Sequence, residues 1–164
     1  DFDTLAAIAN SIGSEAERRG ITATIHPHLY FMVETYGELK RLIDAGLDRE
    51  KIGICPHAVH QHLAGDDPYT IYEELAEWVK YLHMAEGKSG DGRGNENGEF
   101  FGHGVLDQDR LLKPLIDRSP LFARQENAWM ILESSKKGVD VEEYTRKAVD
   151  YITSHWSGLD WEQR

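Results

Sequence analysis

The sequence predicts an α/β fold built on a parallel sheet, on three observations. Four short apolar segments alternate with amphipathic helical patterns, which is the order of repeated βα units. The segments are wholly apolar instead of alternating, as expected for a parallel sheet covered by helices. Each also ends in an imidazole or a carboxylate, and the carboxyl ends of parallel strands are where such folds place their sites. At 164 residues the chain has room for one domain, spanning 1–164, and not for two sizeable ones.

The elements follow in order. Leu5, Ile8, Ala9, Ile12 and Ala16 share a helical face and Gly20 supplies a stop, so residues 3–19 are expected as a helix. The β-branched run ITATIHPH comes next, and Pro27 makes His26 the expected end of its strand. Thr35 and Glu38 have capping-box spacing ahead of Leu39, Leu42 and Ile43, marking a helix that ends at Gly46. KIGIC is a second strand, broken by Pro56.

Asp66 and Asp67 are placed to begin a third helix, with Asp67-Pro68 opening it and Tyr72, Leu75, Ala76 and Val79 as its apolar stripe. YLHM reads as a third strand. Residues 87–104 hold seven glycines and read as a long loop. Leu111, Leu112, Leu115 and Ile116 mark a fourth helix, AWMILES a fourth strand ending at Glu133, and Asp140 with Glu143 the cap of a last helix.

Charge narrows the function classes. The formal net charge of −11, from 29 acidic and 18 basic residues, disfavours nucleic-acid and anionic-membrane partners. A small neutral or metal-bound ligand fits better. The single cysteine, Cys55, allows no internal disulfide and suits a reducing compartment. With no basic signal-peptide start and no apolar stretch long enough to span a bilayer, a cytoplasmic location is expected.

His26, His57, His83 and Glu133 stand at or just beyond the ends of successive strands, and together they form a donor set for a divalent metal. Any one of these histidines alone reads most simply as structural or surface; their coincidence at successive strand ends favours a site. Glu133 and His60 are the candidates for catalysis, and His28, His60, Glu86 and His103 for contact with substrate. Blander readings stand beside them: Glu133 as a carboxylate capping its loop, Glu86 as a solvated loop charge or a partner of Lys88, and His103 as a loop residue.

The succession TIHPH with VET, HAVHQHLAGDDP, YLHM, FGHGVLD and ILES resembles the sugar isomerase/epimerase superfamily of xylose-isomerase-like TIM barrels. The HPH and VET segment is most similar to inosose dehydratase-like members. The resemblance implies the C-terminal half of a TIM barrel, about four of its eight βα units. It also implies a divalent metal (Mn, Mg, Co or Zn), a sugar or cyclitol substrate, and isomerisation, epimerisation or dehydration through proton transfer beside a carbonyl.

By the same resemblance His57 stands where the D-x-x-H motif has its metal-binding Asp, and His60 keeps the motif's His. His83 keeps the ligand of the H-x-K-D strand end, where Ala85 replaces Lys. Glu133 matches the late glutamate, and His26 the first-strand ligand. A half barrel implies a partner, either a homo-oligomer or a complementary N-terminal half. A zinc endonuclease-like hydrolase and a non-catalytic barrel subunit are the competing readings, and the acidic charge argues against the former.

Overall fold

The computed structural model of the chain describes residues 1–88, 92, 98–123, 130–134 and 136–156. Its strands are β1 (Ala23–Ile25), β2 (Ile52–Ile54), β3 (Leu82–Met84) and β4 (Met130–Leu132). β1 pairs parallel to β2, with Ala23 opposite Ile52 and Ile25 opposite Ile54. β3 pairs parallel to β4, with Leu82 opposite Met130 and Met84 opposite Leu132. Parallel bridges at Ile54–Val79 and His57–His83 join the two pairs. The strands thus follow one another in sequence order, as in the wall of a partial barrel.

Seven helices accompany them among the described residues: α1 (Phe2–Arg18), α2 (Tyr36–Asp44), α3 (Ala58–Ala64), α4 (Pro68–Leu75), α5 (Gln108–Arg118), α6 (Pro120–Ala123) and α7 (Val141–His155). The capping box of α2 forms as expected: the Thr35 side chain accepts from the Glu38 amide, and the Glu38 carboxylate accepts from the Thr35 amide. Asp67 caps α4, accepting from the Tyr69 amide at 3.1 Å. Asp66 does not join it; its carboxylate accepts from the Tyr36 amide at 2.7 Å and so anchors the start of α2. Asp140 caps α7 through the Glu142 and Glu143 amides, while the Glu143 side chain pairs with Lys147.

Helix α4 ties the core together. Ile71 and Leu75 pack with Leu39, Leu42, Ile52 and Ile54, whereas Tyr72 packs with Leu82, Met84, Leu111 and Leu115. The outward-facing residues of β3 are therefore buried. Side chains alternate along a strand, so His83 and its partner Ile131 turn to the opposite, concave side, where Ile131 is 37% exposed.

Two further expectations are corrected, and two short helices join the elements expected. In α1 the buried residues are Ala6, Ala9 and Gly13, while Ile8 and Ile12 are more than half exposed. Small residues let the helix approach closely: a Cβ on Gly13 would lie 2.7 Å from the Lys51 carbonyl oxygen. The segment after Pro56 forms the short helix α3, stopped by Gly65 in the left-handed region at φ +94°. Residues 76–78 tighten into a 3₁₀ turn, which puts Val79 beyond α4, and Pro120–Ala123 adds a helical turn. Of the AWMILES segment, Ala128 and Trp129 lie outside the described residues, as do residues 89–91 and 93–97 of the glycine-rich segment.

Where the chain leaves β3, Glu86 is 1% exposed and gathers the flanks of that segment. Its carboxylate accepts from the amides of Gly87 (3.0 Å), Gly102 (3.2 Å) and Leu106 (3.0 Å) and from Gln108 Nε2 (3.0 Å). Gly104 is required here, because a Cβ would lie 2.0 Å from the Gly87 carbonyl oxygen and 2.4 Å from Glu86 Cγ. Burial raises the Glu86 carboxyl pKa, with the four hydrogen bonds opposing the rise. Glu86→Ala leaves several buried donors without an acceptor and is expected to lower unfolding stability by about 3 kcal/mol. Denaturant titration measures it, and an unchanged midpoint would contradict the clamp.

Candidate metal centre

The candidate donors gather where the strands end. His26 follows β1 directly and Glu133 follows β4 directly, while His57 lies beyond β2 as the N-cap of α3. His83 sits within β3 and not after it, one register position from the core-facing Leu82 and Met84. His60 is on the first turn of α3, buried, and His62 on the same helix is exposed. His28 comes in from the turn after β1.

These elements bring five imidazoles together. Ring centroids are 4.5 Å apart for His26 and His83, 3.9 Å for His57 and His60, and 3.8 Å for His28 and His60. Glu133 closes the group: its Oε2 lies 3.0 Å from His83 Nδ1 and 3.4 Å from His57 Nε2.

The hydrogen bonds assign the ring protons. His26 Nδ1 lies 2.8 Å from the Cys55 carbonyl oxygen, and His28 Nδ1 lies 2.9 Å from that of Leu29. A carbonyl only accepts, so both Nδ1 atoms carry a proton, which in the neutral ring leaves the lone pair on Nε2. His83 Nδ1 donates to Glu133 in the same way. His57 is the reverse: its Nδ1 accepts from the His60 amide at 3.4 Å, so the proton sits on Nε2 and points at Glu133. His60 has no hydrogen-bond partner on either ring nitrogen among the described residues.

Electrostatics follow from these contacts. Hydrogen bonds from His57 and His83 bring the Glu133 carboxyl from its ordinary 4.5 down to about 2, against the opposing effect of burial. Burial foremost, then the neighbouring His57 and His28, bring His60 down to about 3, so its ring is neutral. His26 is also lowered, chiefly by burial and against its bond to Cys55. Burial pushes the Cys55 thiol up to about 12, so the thiol stays protonated and only its carbonyl serves the site.

Two candidates do not join the group. The Glu86 oxygens are engaged by the loop amides and Gln108. His103 is exposed beside Tyr151, with ring centroids 6.4 Å apart, in a groove it lines with Phe100, Lys147 and His155. The sequence reading missed α3 and the Cys55 carbonyl; Gly65 after a seven-residue polar-apolar run was the available sign of the helix.

The profile of the xylose isomerase-like TIM barrel matches residues 1–155. The chain belongs to this family. An inosose dehydratase of Lacticaseibacillus casei is 25% identical over 170 residues, which cover 93% of this chain and 54% of that protein. The IolI protein with a bound zinc atom superposes with a TM-score of 0.68 at 14% identity, over 95% of this chain and 56% of the other. The 3-keto-D-glucoside 4-epimerase YcjR of E. coli gives 0.65 at 16%, over 94% and 54%. These structural likenesses speak to the fold. The chain spans about half the length of the curated relative, as befits part of a xylose isomerase-like barrel.

The residues fit a divalent metal. Among the described residues two groups place ligand atoms within 4.8 Å of one another: His26, His28 and His60, and His57, His60 and Glu133. The buried, unpartnered His60 ring belongs to both, and imidazoles with one carboxylate suit zinc, cobalt or manganese.

Since the folded pKa of Glu133 lies below its ordinary 4.5, its contacts contribute fully above pH 4.5 and are lost as pH falls toward 2. In His83→Phe the carboxyl midpoint should move up toward 4.5, read by carbon-13 NMR of the side chain. A midpoint that stays near 2 would contradict the assignment.

Proposed function

We propose that this chain carries the metal-binding half of an enzyme that moves a proton beside the carbonyl of a sugar or cyclitol, by isomerisation, epimerisation or dehydration. The observation that carries the reading is the meeting of His26, His57, His60, His83 and Glu133 at the strand ends of a xylose isomerase-like barrel. The inosose dehydratase relative supports the cyclitol and lyase side of it, and the epimerase neighbour the sugar side.

A divalent metal bound by the imidazoles of this cluster would supply a Lewis acid for a substrate carbonyl or hydroxyl. The protein residues do the rest. Glu133 is ionised and half-exposed, placed to accept a proton from carbon and to return it. His57 and His83 fix the direction in which Glu133 faces.

The half barrel needs a complement, either an N-terminal half or a second copy. Exposed Ile8, Ile12 and Ile21 near the β1 side and exposed Ile131 on the concave side support a covered interface in the assembled barrel.

Glu133→Gln in the assembled enzyme should lower kcat for inosose or keto-sugar turnover by at least about a hundredfold, in the range of a lost general base. Removal of metal by a chelator should abolish turnover, and Mn, Co, Mg or Zn should restore it. Full activity in Glu133→Gln together with chelator resistance would sink the reading.

A further inference from the structure

We infer that the residues taking the metal first are the imidazole triad His26, His28 and His60, a site without a carboxylate, which leaves Glu133 in its pair with His57 and His83. The inference deepens the proposed function and rests on its premise that this cluster binds a divalent metal.

Three observations carry it. His26 and His28 each donate Nδ1–H to a backbone carbonyl, which fixes the tautomer and orients an unprotonated Nε2, the arrangement that metal-binding imidazoles use. His60 is 5% exposed, and both its ring nitrogens lack a partner among the described residues; a bound cation is the kind of group such a ring awaits. The three offer ligand atoms within 4.8 Å of one another. His57 contrasts with all three, because both its nitrogens are engaged, one by the α3 cap and the other by Glu133.

The backbone behind His28 adds to this. Tyr30 sits in the left-handed region at φ +67°, a conformation that disfavours a bulky residue. The turn is held by His28 amide to Val33 carbonyl (3.1 Å), Phe31 amide to His28 carbonyl (3.2 Å) and Tyr30 amide to Glu34 carboxylate (2.8 Å). A strained turn this firmly tied places His28 against His60.

An all-imidazole site selects for borderline metals such as zinc, cobalt, nickel or copper and has little affinity for magnesium, which prefers oxygen ligands. The test is cobalt(II) titration of the whole chain, followed by visible absorption of the bound ion, with zinc and magnesium as competitors. Wild type and Glu133→Gln should bind cobalt alike, zinc should displace it, and excess magnesium should not. His28→Gln and His60→Gln should weaken binding by about a hundredfold or more, as for loss of a metal-site residue. His28→Phe is the second variant, and circular dichroism confirms folding of each.

Binding lost in Glu133→Gln, binding kept in His28→Gln, or displacement by magnesium would each overturn the triad while leaving the proposed function standing. No cobalt binding by wild type would overturn both.

Discussion

Four inter-strand hydrogen bonds set the position of everything at the open end of the sheet. The Cys55 amide donates to Ile25 (2.8 Å), Lys80 to Ile54 (3.2 Å), His83 to Pro56 (3.3 Å) and Glu133 to Met84 (2.8 Å). The strands are only three residues long, so these bonds at or near their ends hold the register that a longer ladder would share among many. Each contributes about 1 kcal/mol net, yet a slip of one residue would turn His83 into the core and Leu82 toward the cluster.

On that frame, one ring does two jobs. The family resemblance places an Asp where His57 stands, and Asp is both a metal ligand and a favoured helix cap. His57 keeps the capping role, with Nδ1 accepting from the first turn of α3, and as a consequence presents N–H to Glu133. If the resemblance holds residue by residue, a ring that caps α3 and donates to Glu133 stands where the family has a negative donor.

Much of the fold was legible because it is written in local signals. The Thr35–Glu38 box, the Asp67 and Asp140 caps and the apolar runs before His26, Pro56 and Glu133 all marked their elements. The orientation of α1 was not, because close approach chose Ala6, Ala9 and Gly13 over the more apolar Ile8 and Ile12. Glu86 looked like a loop charge since its acceptor role depends on amides sixteen and twenty residues later. Strand ends pointed to His26, His57, His83 and Glu133, but the grouping of His28 with His60 depends on a turn through Tyr30 that no pattern of residue types announces.

The makeup of the cluster also has a bearing on charge. Among the described residues Glu133 is the single carboxylate of its donors, and it is already engaged by two imidazoles. A dication held there by neutral rings would keep an excess positive charge of at least one unit, in a chain whose overall formal charge is −11. Such a local reversal of sign would stabilise negative charge that develops beside it. A molecule that becomes negative only as its proton leaves would gain most from such a charge.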